Sequence, residues 1–179
     1  MTKQGKKLVI FSDSIAKRID MVEFGKACHY KHPIKRSFGG ATASDLKYYV
    51  QPTILDKNPD IAIIHGGSNN LLKKAYQTDM DIVNEVMEIV MHCRNGGINE
   101  IYVSALTCIP AHQARVNSIN QLFLEYSYTY DYCFIDNSHI TSKDLWRDNL
   151  HLSKEGIIKL ANNFLYFVNN DLIRTTSTD

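Results

Sequence analysis

The chain has 179 residues and a formal net charge of +1, with 44% hydrophobic and 22% charged residues. This length is typical of one domain, and the near-neutral charge gives no indication of a surface for nucleic acid or another polyanion. No apolar stretch approaches the roughly 18 residues that a membrane-spanning helix needs. Lys6 and Lys7 precede an apolar run that is too short for a signal peptide. We expect one cytoplasmic domain over residues 1–179, with its core at about 7–173.

Cysteines and histidines give no pattern of a metal site. The four cysteines lie far apart without a CxxC pair, and the seven histidines include no HExxH motif. We therefore predict buried free thiols, and expect neither a metal ion nor a cofactor.

Apolar, β-branched segments alternate with segments of helical period. The predicted strands are 8–12, 33–38, 60–65, 100–106 and 132–136. The predicted helices are 44–55, 80–93, 113–130 and a last helix from Ser153 to about 173, followed by a frayed tail at 174–179. This alternation predicts a mostly parallel sheet with helices on both faces, whose functional residues follow the carboxyl ends of the strands.

Ser14 follows the first predicted strand and opens the next segment. A hydroxyl at such a strand-to-helix turn can attack a carbonyl carbon and leave the developing oxyanion near backbone N–H groups. Serine and aspartate are also the favoured residues at helix N-termini, so simple capping is the alternative for Asp13 and Ser14.

Glycine-rich turns follow the second and third predicted strands. Gly40 could donate its N–H to an oxyanion, and Asn69 could donate its side-chain amide. Ordinary turns explain the same residue types. His65 ends an apolar run, and we interpret it as a near-core histidine with satisfied hydrogen bonds rather than a catalyst.

Asp148 and His151 lie just before the last helix, three residues apart. On a tight turn the carboxylate could hold one imidazole nitrogen while the other acts as a general base. Taken alone, this spacing is equally compatible with a surface turn.

The order of these four motifs resembles that of the SGNH, or GDSL-like, hydrolases. Ser12-Asp13-Ser14-Ile15, Gly40, Gly67-Ser68-Asn69-Asn70 and Asp148 with His151 match the family blocks over residues 8–168. The resemblance implies a flavodoxin-like α/β sandwich of three layers, with a five-stranded parallel sheet in the order 2-1-3-4-5. It also implies esterase activity without a cofactor. The nucleophile would be Ser14, assisted by Asp148 and His151, and the oxyanion hole would comprise the Ser14 N–H, Gly40 and Asn69.

One position departs from the family, because Ser12 stands where the family has glycine, and its Cβ is expected to crowd the bend before Ser14. The chain is also similar, more loosely, to esterase domains in open reading frames of non-LTR retrotransposons. Its stretches between predicted elements are too short to build a helical lid. The expected substrate is therefore a small ester with a short acyl chain.

Three alternative functions would each require other features of the chain. A non-catalytic module on the same fold could bind a carbohydrate, a lipid or a protein. A phosphatase of the haloacid-dehalogenase type would need a second carboxylate two residues after Asp13 to hold magnesium, but this residue is Ile15. A flavodoxin-type nucleotide binder would need a glycine-rich phosphate loop followed by lysine, and the chain has none.

Overall fold

Residues 4–175 are described by a computed structural model, and they contain one five-stranded sheet in which every neighbouring pair is parallel. The strand order is β2-β1-β3-β4-β5, which confirms the predicted fold class. The strands are β1 (Gln4–Ser12), β2 (Tyr30–Ser37), β3 (Ile61–His65), β4 (Glu100–Ser104) and β5 (Cys133–Ile135).

Six α-helices connect and cover the strands. They are α1 (Met21–Ala27), α2 (Ala43–Lys57), α3 (Ser68–Lys73), α4 (Asp79–Asn95), α5 (Gln113–Tyr130) and α6 (Lys154–Thr175). Short 3-10 helices lie at Ile15–Arg18, Pro110–His112 and Ser142–Asp144. None of the helices described within residues 4–175 is long and apolar enough to cross a membrane.

The sheet separates two hydrophobic layers because successive side chains of a strand point to opposite faces. On β1, Val9 and Phe11 pack into the layer formed with α2, α4 and α5. Leu8 and Ile10 pack into the other layer, which contains residues of α1 and α6. All four of these side chains are completely buried. This double burial explains why residues 8–11 of β1 form a continuous apolar run.

Two α-helices were not predicted from the sequence. In α1 only Phe24 is buried, so this helix carries no apolar periodicity that a pattern search could find. Its start is fixed by Asp20, whose carboxylate accepts the N–H groups of Val22 and Glu23. The short helix α3 lies inside the glycine- and asparagine-rich segment that we interpreted as a turn.

Some element boundaries also differ from the prediction. Strand β2 begins at Tyr30 rather than at Pro33, and it is an edge strand, where proline is tolerated. Helix α6 continues to Thr175, so the predicted tail is wrong for 174–175, and 176–179 lie outside the described residues. None of the four cysteines forms a disulfide in this structure, and two of them, Cys28 and Cys93, are buried.

Candidate active site

Ser14 lies two residues beyond β1, where it precedes the 3-10 helix Ile15–Arg18. Its side chain makes no capping hydrogen bond to this helix. Instead, Ser14 Oγ lies 3.0 Å from Nε2 of His151. The hydroxyl therefore faces a proton acceptor, which capping does not require and nucleophilic attack does.

Asp148 and His151 are joined by a tight turn. Asn149 adopts a left-handed φ of 55°, which asparagine tolerates better than most residues. Oδ1 of Asp148 accepts the backbone N–H groups of Leu150 and His151, at 3.0 and 2.9 Å. Its Oδ2 lies 2.6 Å from Nδ1 of His151. A proton held at Nδ1 leaves Nε2 as the acceptor that faces Ser14.

The backbone on both sides of this turn is fixed by further hydrogen bonds. The N–H of Trp146 donates to the carbonyl oxygen of His151 at 2.6 Å, and Leu145 pairs with Leu152 in an antiparallel bridge. The imidazole therefore projects from a small closed loop rather than from a free segment.

The electrostatics of Asp148 suit a partner for a protonated imidazole. Partial burial alone would raise its pKa. The hydrogen bonds from the His151 ring and from the N–H groups of His151 and Leu150 outweigh this and lower the pKa to about 2. The group is thus a carboxylate at neutral pH, although nearly half of its side chain is exposed.

Gly40 lies in a turn between β2 and α2. The turn is closed by the N–H of Ala41, which donates to the carbonyl oxygen of Phe38 at 3.3 Å. Gly40 has a φ of 73°, a left-handed conformation that glycine adopts without strain. Thr42, two residues later, is the N-cap of α2 and forms a capping box. Glycine is therefore required here by the backbone itself.

Asn69 is a nearly buried residue of α3, with 7% of its surface exposed. Its Nδ2 donates one hydrogen bond, of 3.0 Å, to the carbonyl oxygen of Ala41 in the Gly40 turn. An amide nitrogen carries two hydrogens, so one donor of Asn69 is left for another acceptor. The contact also joins the loops that follow β2 and β3.

The backbone N–H groups of Ser14 and Gly40 have no acceptor among residues 4–175. Together with the second hydrogen of Asn69, they are three donors at the carboxyl ends of neighbouring strands β1, β2 and β3. Hydrogen bonds join three of the residues predicted from the sequence directly, namely Ser14, His151 and Asp148. The other two, Gly40 and Asn69, are connected through Ala41, which follows Gly40 and accepts a hydrogen bond from Asn69.

The sequence indicated no role for Asp13 beyond helix capping. In the structure it is a completely buried carboxyl group beside Ser14. Its Oδ1 accepts the N–H of Ile15 at 2.9 Å, whereas Oδ2 has no hydrogen-bond partner. Burial raises its pKa to about 6, against the opposing effects of the Ile15 N–H, the nearby Ser68 hydroxyl and the charge of His151. The Ser68 hydroxyl lowers this pKa, although it makes no hydrogen bond of good geometry to Asp13.

His65 is completely buried, as the sequence predicted, but the prediction of satisfied hydrogen bonds is wrong for Nε2, which has no partner among the described residues. Its Nδ1 lies 2.8 Å from the hydroxyl of Ser104, which in turn accepts a hydrogen bond from Asn137. Burial lowers the pKa of His65 to about 4. The ring is therefore neutral at physiological pH, and its contacts place it in a polar cluster separate from His151.

Ser12 is accommodated by the strands around it. The residue is completely buried at the end of β1, and its hydroxyl lies 2.5 Å from the Ser37 hydroxyl on the paired strand β2. It also donates to the carbonyl oxygen of Asp13 at 3.1 Å. The Ser12 hydroxyl thus connects the start of the turn before Ser14 to the edge strand β2 by a hydrogen bond.

Comparison with solved structures identifies proteins with the same architecture. A lipase/acylhydrolase from Enterococcus faecalis has a TM-score of 0.79 and 17% identity, covering 93% of this chain and 96% of its own. The chain has the fold of the GDSL-like acylhydrolases.

Two further structures with this acylhydrolase fold have TM-scores of 0.76. One is a GDSL-like lipase from Bacteroides thetaiotaomicron, at 12% identity, covering 96% of this chain and 93% of its own. The other is an acetylxylan esterase from Geobacillus stearothermophilus, at 14% identity, covering 93% of this chain and 96% of its own. No protein-family model matches the chain, and no curated protein matches it significantly.

Proposed function

We propose that the protein is a serine ester hydrolase in which Ser14 is the nucleophile, His151 the general base and Asp148 its orienting partner. The observation that carries this proposal is the continuous hydrogen-bonded path from Ser14 Oγ through the imidazole to the Asp148 carboxylate, with distances of 3.0 and 2.6 Å. The acylhydrolase fold supports the same class of reaction.

Acylation transfers the acyl group from the ester to Ser14. The oxygen of Ser14 attacks the carbonyl carbon while His151 Nε2 takes the hydroxyl proton, and the carbonyl electron pair moves onto its oxygen. Asp148 stabilises the imidazolium that results. When the tetrahedral intermediate collapses, the alcohol leaves with the proton from His151, and Ser14 carries the acyl group.

Deacylation repeats these steps with water. His151 takes a proton from a water molecule, and the hydroxide attacks the acyl carbon. Collapse of the second tetrahedral intermediate breaks the bond to Ser14, which regains its proton from His151. The carboxylic acid is released and loses its proton at neutral pH.

The N–H groups of Ser14 and Gly40 and the second amide hydrogen of Asn69 would stabilise both tetrahedral intermediates. Donors fixed before the reaction stabilise the oxyanion without reorganisation during the reaction. Asn69 is held by its bond to Ala41, so this donor is fixed in this sense.

We propose a substrate with a short acyl chain. One cavity, of about 560 Å³, lies between α5 and the loops after β4 and β5. Another, of about 610 Å³, lies between α1 and α6. None of Ser14, His151, Gly40 and Asn69 lines either of them. An acyl chain attached to Ser14 would accordingly lie outside both of these cavities.

A chromogenic acetyl ester, 4-nitrophenyl acetate, tests the proposal directly. Hydrolysis by the purified protein, lost in Ser14→Ala, supports an esterase. If the wild-type protein fails to exceed the Ser14→Ala variant over a panel of acetyl esters, the alternative of a non-catalytic binding module replaces this proposal.

A further inference from the structure

Lys73 makes a contact with the proposed oxyanion hole that the motif pattern does not include. Its ammonium group donates a hydrogen bond of 2.6 Å to the carbonyl oxygen of Gly40. A Cβ built on Gly40 would lie 2.8 Å from Lys73 Nζ, so the ammonium lies directly against this residue. The lysine is exposed, and no carboxylate of the described residues lies within ion-pair distance of it.

Lys73 and Asn69 act on the same loop. They are four residues apart on α3, which places them on one face of the helix. Asn69 donates to the carbonyl oxygen of Ala41, and Lys73 donates to that of Gly40. Two successive carbonyl groups of the loop are thereby bonded to one helix. A third residue of α3, Asn70, accepts the N–H of Ala43 at 2.7 Å.

We infer that Lys73 is a positioning residue, which holds the Gly40 turn in the conformation that presents the Gly40 N–H to the oxyanion. A left-handed glycine has alternative backbone conformations of similar energy, so its N–H direction is fixed only if other contacts fix it. A hydrogen bond from a charged donor is stronger than one from a neutral donor, and Lys73 supplies such a bond at this glycine. This inference rests on the proposed ester hydrolysis at Ser14.

The test compares Lys73→Met, Lys73→Arg and the control Lys74→Met. Lys74 is the next residue and carries the same charge, but its ammonium lies 3.4 Å from Glu85. In Lys73→Met we expect kcat for 4-nitrophenyl acetate to fall on the order of tenfold, the effect of one charge-assisted hydrogen bond, with KM within about twofold. Lys73→Arg should recover most of the rate, and Lys74→Met should retain it.

Binding of phenylboronic acid, which forms a tetrahedral adduct with an active serine, should weaken in Lys73→Met by the same factor as kcat. Unchanged kcat in that variant, a change confined to KM, or equal losses in Lys73→Met and Lys74→Met would each overturn the inference.

A measurement independent of catalysis separates this inference from the proposed function. Amide hydrogen exchange of Ala41, which closes the turn onto Phe38, should accelerate in Lys73→Met and stay near the wild-type rate in Lys73→Arg and Lys74→Met. If exchange does not change in Lys73→Met, the positioning role is wrong even if the protein is an esterase. If exchange changes but the wild-type protein hydrolyses no ester, the proposed function fails, and so does the catalytic part of the inference.

Discussion

The backbone N–H of Asp13 donates to the carbonyl oxygen of His65 at 3.2 Å, and so joins two residues whose ionisable side chains are both completely buried. Burial acts on the two groups in opposite directions. It raises the pKa of Asp13 from 3.8 to about 6 and lowers the pKa of His65 from 6.5 to about 4. Each change corresponds to roughly 3 kcal/mol of folding free energy.

These opposite changes predict opposite dependences of stability on pH. Between about pH 4 and 6 the folded chain keeps the Asp13 proton more tightly than the unfolded chain does, so this group lowers the free energy of unfolding as pH rises. Over about pH 4 to 6.5 the folded chain binds the His65 proton less tightly, so this group raises the free energy of unfolding. The two contributions nearly cancel in the wild-type protein.

Asp13→Asn should therefore reveal the contribution of His65. Asparagine keeps the acceptor for the Ile15 N–H and replaces the unpartnered Oδ2 with a neutral amide. We expect the free energy of unfolding of this variant to exceed that of the wild type by up to about 3 kcal/mol at pH 8 and to equal it at pH 4. Between these pH values it should rise more steeply than in the wild type. Urea unfolding at five pH values measures this. In His65→Asn the free energy of unfolding should instead fall as pH rises. If neither variant changes the pH dependence of the wild type, the assigned ionisation of Asp13 and His65 is wrong.

The sheet and the candidate site could be predicted from sequence because their signals are local. The first four residues of β3 are apolar, and Ser14 lies in a short motif after β1. Asp148 and His151 lie in a short motif just before α6. The contacts of Lys73 could not be predicted, because they join α3 to a loop 33 residues away and depend on the backbone direction at Gly40. The first crossover helix, α1, was missed because it buries only Phe24.

Asp148→Asn tests the orientation of His151. Asparagine can present an N–H where the imidazole needs an acceptor, so we expect kcat to fall by between about 10² and 10⁴ with little change in KM. Because hydrogen bonds hold the pKa of Asp148 near 2, this carboxylate stays ionised from pH 8 to 5 and contributes no pH dependence of activity over that range. The control Asp131→Asn, at an exposed residue beyond α5, should retain the wild-type rate. Equal rates in both variants would exclude Asp148 from the mechanism.

Asn69→Ala tests the side-chain donor of the oxyanion hole. Removing one such donor should lower kcat by about 10² to 10³, because the interaction forms in the transition state. The lost bond to Ala41 should reduce the free energy of unfolding by only about 1 kcal/mol. Asn84→Ala, at an exposed position of α4, is the matched control. A change in KM alone would make Asn69 a ground-state binding residue instead.

Substrate length tests whether a hydrophobic cavity near Ser14 holds the acyl chain. If no pocket holds the acyl chain, kcat/KM should be flat or should fall beyond butyryl in a series of 4-nitrophenyl esters with two to twelve carbons. A hydrophobic channel would add roughly 0.8 kcal/mol for each buried methylene. The series is measured below micelle-forming concentrations, with Ser14→Ala as background. A steady tenfold gain for every two or three carbons would show such a channel and favour a lipid substrate.

The nucleophile itself can be identified by labelling with a fluorophosphonate, followed by mass spectrometry of the modified peptide. The distance of 3.0 Å between Ser14 Oγ and His151 Nε2 predicts one adduct, on Ser14, which is absent in Ser14→Ala and much slower to form in His151→Ala. Both variants should unfold at nearly the wild-type temperature, since their side chains are only partly buried. Labelling at Ser12 or Ser68, or no labelling of the folded wild-type protein, would contradict the assignment of Ser14 as the nucleophile.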